Sequence, residues 1–324
     1  YSSHGFEEMT HHYHDAIRNH LLRGEYVHKH RPILINNWEA TYFDFTGEKI
    51  FDIAKEASSL GIEMLVLDDG WFGQRDDDCG GLGDWSVNEK KLGCTLKELV
   101  DKIKGLGMKF GIWFEPEMIN EKSNLYQLHP DWMVRVPGRK GTKAREQYVL
   151  DYTRKDVVDE IEKMMRSIID SANIEYIKWD MNRSLATVYS AQLSPEHMGE
   201  FHYRYVLGLY SLLERLTQRY PHILFEGCSG GGGRYDLGMM YFHPQIWCSD
   251  DTDAIERLKI QYGSSFLYPI GCAGSHVSAV PNHQTGRKTP FETRATVAMA
   301  GSFGYELDLN KASEKEQEAV KAQV

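Results

Sequence analysis

TLKELVDKIKGLGMKFGIWFE, residues 95–115, contains one complete structural unit of the chain. An amphipathic stretch, Thr95–Leu106, passes through a glycine turn into a short apolar run, Lys109–Phe114, and the run stops at a carboxylate, Glu115. The amphipathic part predicts a surface helix. The apolar run predicts a strand covered on both faces, as parallel strands are. Outward from this stretch the same unit recurs: apolar run, polar or acidic residue, loop, amphipathic stretch. Strand candidates are Ile33–Asn36, Met64–Leu67, Lys109–Phe114, Tyr148–Leu150, Tyr176–Trp179, Ile223–Phe225, Ile246–Cys248, Gly271–Val277 and Ser302–Leu307. Helix candidates are Glu48–Leu60, Thr95–Leu106, Arg154–Ile169, Pro195–Arg219, Ala254–Tyr262, Pro290–Ala300 and Ser313–Val324, with helical spacing also in the His-rich stretch Thr10 to Arg23.

That is nine strand candidates for an eight-unit alternation. Tyr148–Leu150 is the shortest, and it is expected to decorate a loop between a strand and its helix. The pattern predicts an α/β fold, a (β/α)8 TIM barrel forming one domain over residues 1–324. A doubly wound sheet is the rival, but no GxGxxG follows the first strand.

The 324 residues are 41% hydrophobic and 26% charged, an ordinary globular balance that excludes a disordered or collagenous chain. Acidic residues outnumber basic ones 47 to 37, a formal charge of −10, which argues against nucleic acid or anionic lipid as a partner. Cys79, Cys94, Cys228, Cys248 and Cys272 are odd in number and include no CxxC pair. A disulfide framework or cysteine zinc site is therefore not expected, and a reducing, cytoplasmic location is. No apolar run approaches the roughly 18 residues of a membrane span. The start at Tyr1 and the charged helical end lead us to expect a piece of a longer chain.

Active sites of such barrels lie at the C-terminal ends of the strands. The residues there are Trp38-Glu39, Asp68-Asp69-Gly70-Trp71, Trp113-Phe114-Glu115-Pro116-Glu117, Lys178-Trp179-Asp180, Glu226-Gly227-Cys228 and Ser249-Asp250-Asp251-Thr252-Asp253. One or two such carboxylates would read as helix caps. Carboxylates at strand end after strand end, interleaved with Trp, need more than that. Indole faces and fixed hydrogen-bonding carboxylates suit a sugar. Cleaving a glycosidic bond then takes two carboxyl groups, one an acid and one a base or nucleophile. Asp180 and Asp250 follow separate strands and can face each other across the barrel mouth. Lys178 shares a strand face with Asp180 and would keep it ionised.

Together with Asn36–Thr41 and Gly227–Arg234, these motifs resemble glycoside hydrolase family 36, the bacterial-type α-galactosidases, from Arg31 to Leu309 and in the family's order. The resemblance implies a retaining α-galactosidase that acts on melibiose- or raffinose-type oligosaccharides with no metal or cofactor. It implies Asp180 as nucleophile and Asp250 as acid/base. Sugar contacts fall on Asp68, Asp69, Trp113, Lys178, Arg145, Cys228 and Gly230, with Trp38 at the site, and flanking β-sandwich domains and a homo-oligomer belong to the full-length protein. An α-N-acetylgalactosaminidase, a galactosyl-transferring relative, a silent galactose-binding barrel and a metal-dependent hydrolase stay open.

Among the neighbours, Asp251 points away from the sugar if Asp250 faces it, and Asp253 caps the helix at Ala254. Glu115 and Glu117 sit on one element and cannot span a glycosidic bond, so they and Glu226 are expected to be supports. The Cys228–Gly233 loop lacks the Lys-Ser/Thr of a phosphate loop. His4, His11, His12 and His14 read as a solvated helix face.

Overall fold

A computed structural model describes residues 2–324. In it eight parallel strands close a barrel: β1 Leu34–Asn36, β2 Met64–Leu67, β3 Lys109–Phe114, β4 Tyr176–Trp179, β5 Leu224–Gly227, β6 Gln245–Trp247, β7 Ala273–Ser278 and β8 Ser302–Glu306. Each pairs with its neighbour in the chain, and β8 closes on β1 with Leu34 opposite Gly304 and Ile35 opposite Tyr305. The (β/α)8 expectation holds.

The two-residue period of a strand decides which side chains meet which layer. Ile35, Leu65, Leu67, Phe110, Ile112, Ile177, Trp179, Phe225, Val277 and Tyr305 belong to the large core between strands and helices. Leu34, Met64, Val66, Tyr176 and Leu224, with Tyr26 from the N-terminal segment, form a second cluster that floors the barrel interior. Two residues further along those same strands the interior turns polar: Asn36, Asp68, Lys178 and Glu226 are all buried. Tyr176 fits inside because its neighbour is Gly111, where a Cβ would come within 2.8 Å of the Tyr176 ring.

The ninth candidate lies outside the barrel. Tyr148–Val149 pairs antiparallel with Met118–Ile119, a small two-stranded sheet in the connection after β3. Met118–Ile119 had no signal in the sequence, because two residues behind a proline carry no period. Helices Gly47–Ser59, Leu96–Gly105, Lys155–Ser171, Ala254–Ser265, Phe291–Ala298 and Glu314–Gln323 match the candidates to within a few residues. Leu96–Gly105 shows why: Thr95 and Glu98 form a capping box, and Leu96, Leu99, Val100 and Ile103 are the buried stripe. The stretch read as Pro195–Arg219 divides into a 3-10 segment, Pro195–Glu200, and an α-helix, Phe201–Arg219.

Between β5 and β6 there are two helical segments of four residues each, Ser229–Gly232 and Leu237–Met240. The N-terminal helix Phe6–Ala16 and its π-turn continuation Ile17–Leu21 cover the gap, with Ile17 packed against Met240, Ile246 and Cys272. The segment read from helical spacing as Thr10 to Arg23 is thus part of the barrel's outer layer. Arg23 anchors it in a bidentate pair with Glu214, at 2.9 and 3.1 Å.

Candidate active site

A pocket of about 310 Å³ opens at the C-terminal ends of the strands, large enough for one small ligand. Trp38, Asp68, Asp69, Trp113, Arg145, Lys178, Asp180 and Asp250 line it, joined by Asn182, Trp247, Thr252, His283, Gln284 and Glu306. A roomier groove of about 480 Å³, around Leu185, Tyr205, Leu209 and Met239, is largely apolar and contains neither Asp180 nor Asp250.

Strand β2 delivers two carboxylates where a strand would normally turn one away. The chain leaves the strand at once, with Gly70 at φ 109°, and Asp69 N–H donates to Asp68 Oδ1 at 2.8 Å. Asp68 Oδ2 accepts from Lys178 Nζ at 2.8 Å and Asn36 Nδ2 at 2.6 Å. Asp69 is gripped by buried Arg75, whose Nη2 reaches Oδ2 at 2.8 Å and Nε reaches Oδ1 at 3.0 Å. Burial pushes the Asp69 carboxyl up, with Arg75 offsetting part of the rise. Burial alone would push Lys178 down, but the charges of Asp68 and Glu306 outweigh it and keep the ammonium charged.

Asp180 follows β4 and collects four N–H donors. Trp113 Nε1 and Asn182 Nδ2 give to Oδ2 at 3.2 and 2.8 Å, and the Met181 and Gly230 amides give to Oδ1 at 2.8 and 3.1 Å. Burial works to raise this carboxyl, yet the Lys178 charge and these donors win and hold it below the ordinary Asp range. Asp250, after β6, has one nitrogen donor, Trp247 Nε1 at 3.0 Å, and the Cys228 thiol at 3.9 Å. Burial and the Asp180 charge push Asp250 up. Two carboxyls in one pocket, displaced in opposite directions, are how an acid and an anionic partner share a site.

The family model for melibiase matches residues 1–324. The chain belongs to the melibiase family. It is 56% identical over its full length to a bifunctional α-galactosidase/sucrose kinase of Mediterraneibacter gnavus, AgaSK, and spans 34% of that protein. It is 54% identical to the α-galactosidase AgaA of Geobacillus stearothermophilus, again over the full chain and 44% of the relative. Its backbone matches the crystal structure of AgaA with a TM-score of 0.98, covering all of this chain and 45% of that one. Variants of AgaA have been solved in complex with raffinose and with stachyose. This melibiase-family chain therefore spans less than half the length of these curated relatives.

Within the melibiase-family barrel not every anticipated residue meets the pocket directly. Gly230 and Cys228 stand behind Asp180 and Asp250 rather than among the lining residues: the Gly230 amide is on Asp180, and the Cys228 side chain is buried with its sulfur toward Asp250. Burial and the two aspartates push the Cys228 thiol well up, leaving it without nucleophilic character. Arg145 sits at the rim with its side chain 48% exposed, 4.0 Å from Asp78. Asp251 turns aside to accept the Asp253 amide at 3.1 Å, and Asp253 accepts from the Ile255 and Glu256 amides as the cap of Ala254–Ser265.

The supporting carboxylates divide into two kinds. Glu115 takes the Asn182 amide and Gln147 Nε2, so it braces the residue that donates to Asp180, and burial beside Asp180 pushes it up to about 8. The Glu117 carboxyl is buried with a full set of donors: Trp179 Nε1 at 3.1 Å, Tyr205 Oη at 2.8 Å and Arg234 at 2.8 and 3.1 Å. Removing one member of a buried pair leaves the other charge uncompensated. Glu117→Ala is expected to lower the free energy of unfolding by about 3–5 kcal/mol in urea denaturation. A loss below about 1 kcal/mol would mean that Arg234 finds water instead.

Asn182, Trp247, Thr252, His283, Gln284 and Glu306 were not singled out from the sequence. Glu306 carried the same strand-end signal as the others, whereas His283 and Gln284 lie in a loop without period. Of the N-terminal histidines, His14 places its Nε2 2.8 Å from the Ser265 carbonyl, and among the described residues no three His, Cys, Asp or Glu form a metal-holding group.

Proposed function

We propose that this barrel carries the catalytic site of a retaining α-galactosidase that removes terminal α-linked galactose from raffinose-type oligosaccharides. The observation that carries the reading is that two strand-end carboxyls line one sugar-sized pocket in unlike surroundings, Asp180 held by four N–H donors and Asp250 by the Trp247 indole. Ionised Asp180 attacks the anomeric carbon while Asp250 gives its proton to the departing glycosidic oxygen. The anion formed at Asp250 then takes a proton from water as that water displaces Asp180, and the α configuration is restored. Asp68 and Asp69, oriented by Lys178 and Arg75, supply acceptors for adjacent sugar hydroxyls, and the Trp38 and Trp113 indoles supply apolar faces. No step calls on a metal or cofactor. Relatives named α-galactosidases, one solved with raffinose and stachyose, support the substrate class.

The test is a rate comparison on the p-nitrophenyl α-galactoside, α-glucoside and α-N-acetylgalactosaminide with the full-length protein. A site built to pair a particular hydroxyl disfavours its epimer strongly, so the galactoside is expected to lead the glucoside by about 10⁴-fold in kcat/KM. Proton NMR should show α-galactose as the first product. Preference for the N-acetylated sugar would move the reading to an α-N-acetylgalactosaminidase. Tight binding of galactose without turnover would make the barrel a lectin.

A further inference from the structure

Glu306 ends β8 and lines the pocket, yet the mechanism above leaves it without a task. Its Oε2 pairs with His276 Nδ1 at 3.1 Å on neighbouring β7, and both side chains are buried. The His276 ring packs on the Trp247 indole with centroids 4.5 Å apart, and Trp247 Nε1 is the donor to Asp250. Glu306, His276, Trp247 and Asp250 thus form a continuous run of side chains across β8, β7 and β6. The His276 ring is fixed in that run, because it occupies the space over Gly304, where a Cβ would come within 2.7 Å of it.

Resting on the reading of Asp250 as the acid, we propose that Glu306 is a positioning residue whose negative charge keeps Asp250 in its acid form until substrate arrives. The charges around Asp250 explain why one more anion matters. Arg257 from helix Ala254–Ser265, 4.4 Å over the Trp247 ring, helps to keep Glu306 ionised, whereas Lys178 from β4, 5.7 Å over the same ring, favours an ionised Asp250. So does the Trp247 N–H. His283 on the rim, 3.3 Å from Glu39, is pushed up by Glu39 first, with Glu306 and Asp250 acting in the same sense, so it counts among the cations facing Asp250. Against the cations stand Asp180 on β4 and Glu306 on β8, while the buried Cys228 thiol after β5 stays neutral. Burial and Asp180 lead in raising Asp250, and Glu306 acts in the same sense. Asp180 must be consumed as nucleophile in each turnover, whereas Glu306 stays behind with its charge unchanged.

The alkaline limb of the kcat/KM profile on p-nitrophenyl α-galactoside reports the free enzyme's acid. In the full-length protein, Glu306→Gln is expected to move that limb down by about one pH unit, the order of effect of one nearby charge. Glu306→Asp keeps the charge and should restore most of the wild-type position. Trp247→Phe removes a donor that favours the ionised form, so its limb should move up, a pair of opposite shifts that loosened packing would not produce. Asp250→Ala separates the two claims. If it retains the wild-type limb, the assignment of Asp250 fails. If the limb depends on Asp250 but Glu306→Gln leaves it in place or moves it up, only the role of Glu306 fails. Carboxyl carbon NMR of the wild-type protein needs no variant: Glu306 must be ionised at pH values where Asp250 is protonated, and the reverse order overturns the proposal.

Discussion

Asp180→Gly is expected to lower kcat for α-galactosides by about 10⁴–10⁶-fold, the range seen when a catalytic nucleophile is removed. The fold should survive, because the side chain points into the pocket rather than the core. What the variant leaves behind makes the result specific. Trp113 Nε1, Asn182 Nδ2 and the Met181 and Gly230 amides all aim at the vacated carboxylate. With Lys178 close by, those donors form a cradle for a small anion, and azide fits the space opened on the β-face of the sugar. Asp250 still protonates the leaving oxygen, so added azide should restore turnover with β-galactosyl azide as product. Full activity in the variant without azide would remove Asp180 from the mechanism altogether.

The barrel was readable because its strands are buried on both sides. Met64–Leu67 is an unbroken apolar run and Tyr176–Trp179 is interrupted only by Lys178, and each is followed at once by a carboxylate that has left the sheet. Strand β6 was harder: Gln245 and Trp247 face inward, so only Ile246 carries the apolar signal outward, toward Ile17 of the N-terminal segment. The short strand Met118–Ile119 and the role of the N-terminal helix were not readable at all. The first is too short for a period. The second exists because the β5–β6 connection is too short to cover its own strands, a fact about distance in space rather than about any local pattern.

The site divides along the same line. Asp68, Asp69, Lys178, Asp180 and Asp250 announce themselves as charged residues ending apolar strands, where burial makes an unpaired charge costly. Asn182 and Trp247 act by donating to those carboxylates, and an amide or indole near a strand end looks the same whether it points at an aspartate or into the core. The tasks of Gly230 and Cys228 were the least visible. A glycine loop was evident, but that its backbone N–H would serve Asp180, with the Cys228 sulfur turned toward Asp250, required the strands to be set side by side.

Asp250→Ala should behave in the opposite manner to Asp180→Gly, and the difference fixes which carboxyl does what. The nucleophile is intact, so an activated aryl galactoside, whose leaving group needs little protonation, still forms the galactosyl-enzyme. Melibiose and raffinose have poor leaving groups and should lose about 10²–10⁴-fold, the usual contribution of a general acid. Without its base, the intermediate waits for a nucleophile that needs no deprotonation. Azide then enters from the α-face and the product is α-galactosyl azide, the other anomer from that of Asp180→Gly, which proton NMR distinguishes. The adjacent aspartate supplies the internal comparison. Asp251 is engaged with the Asp253 amide and lies outside the pocket lining, so Asp251→Ala should keep near wild-type leaving-group dependence. If instead Asp251→Ala shows the azide-dependent α product while Asp250→Ala does not, the proton is delivered from Asp251. The Trp247 and Cys228 contacts to Asp250 would then serve only to hold a strand end in place.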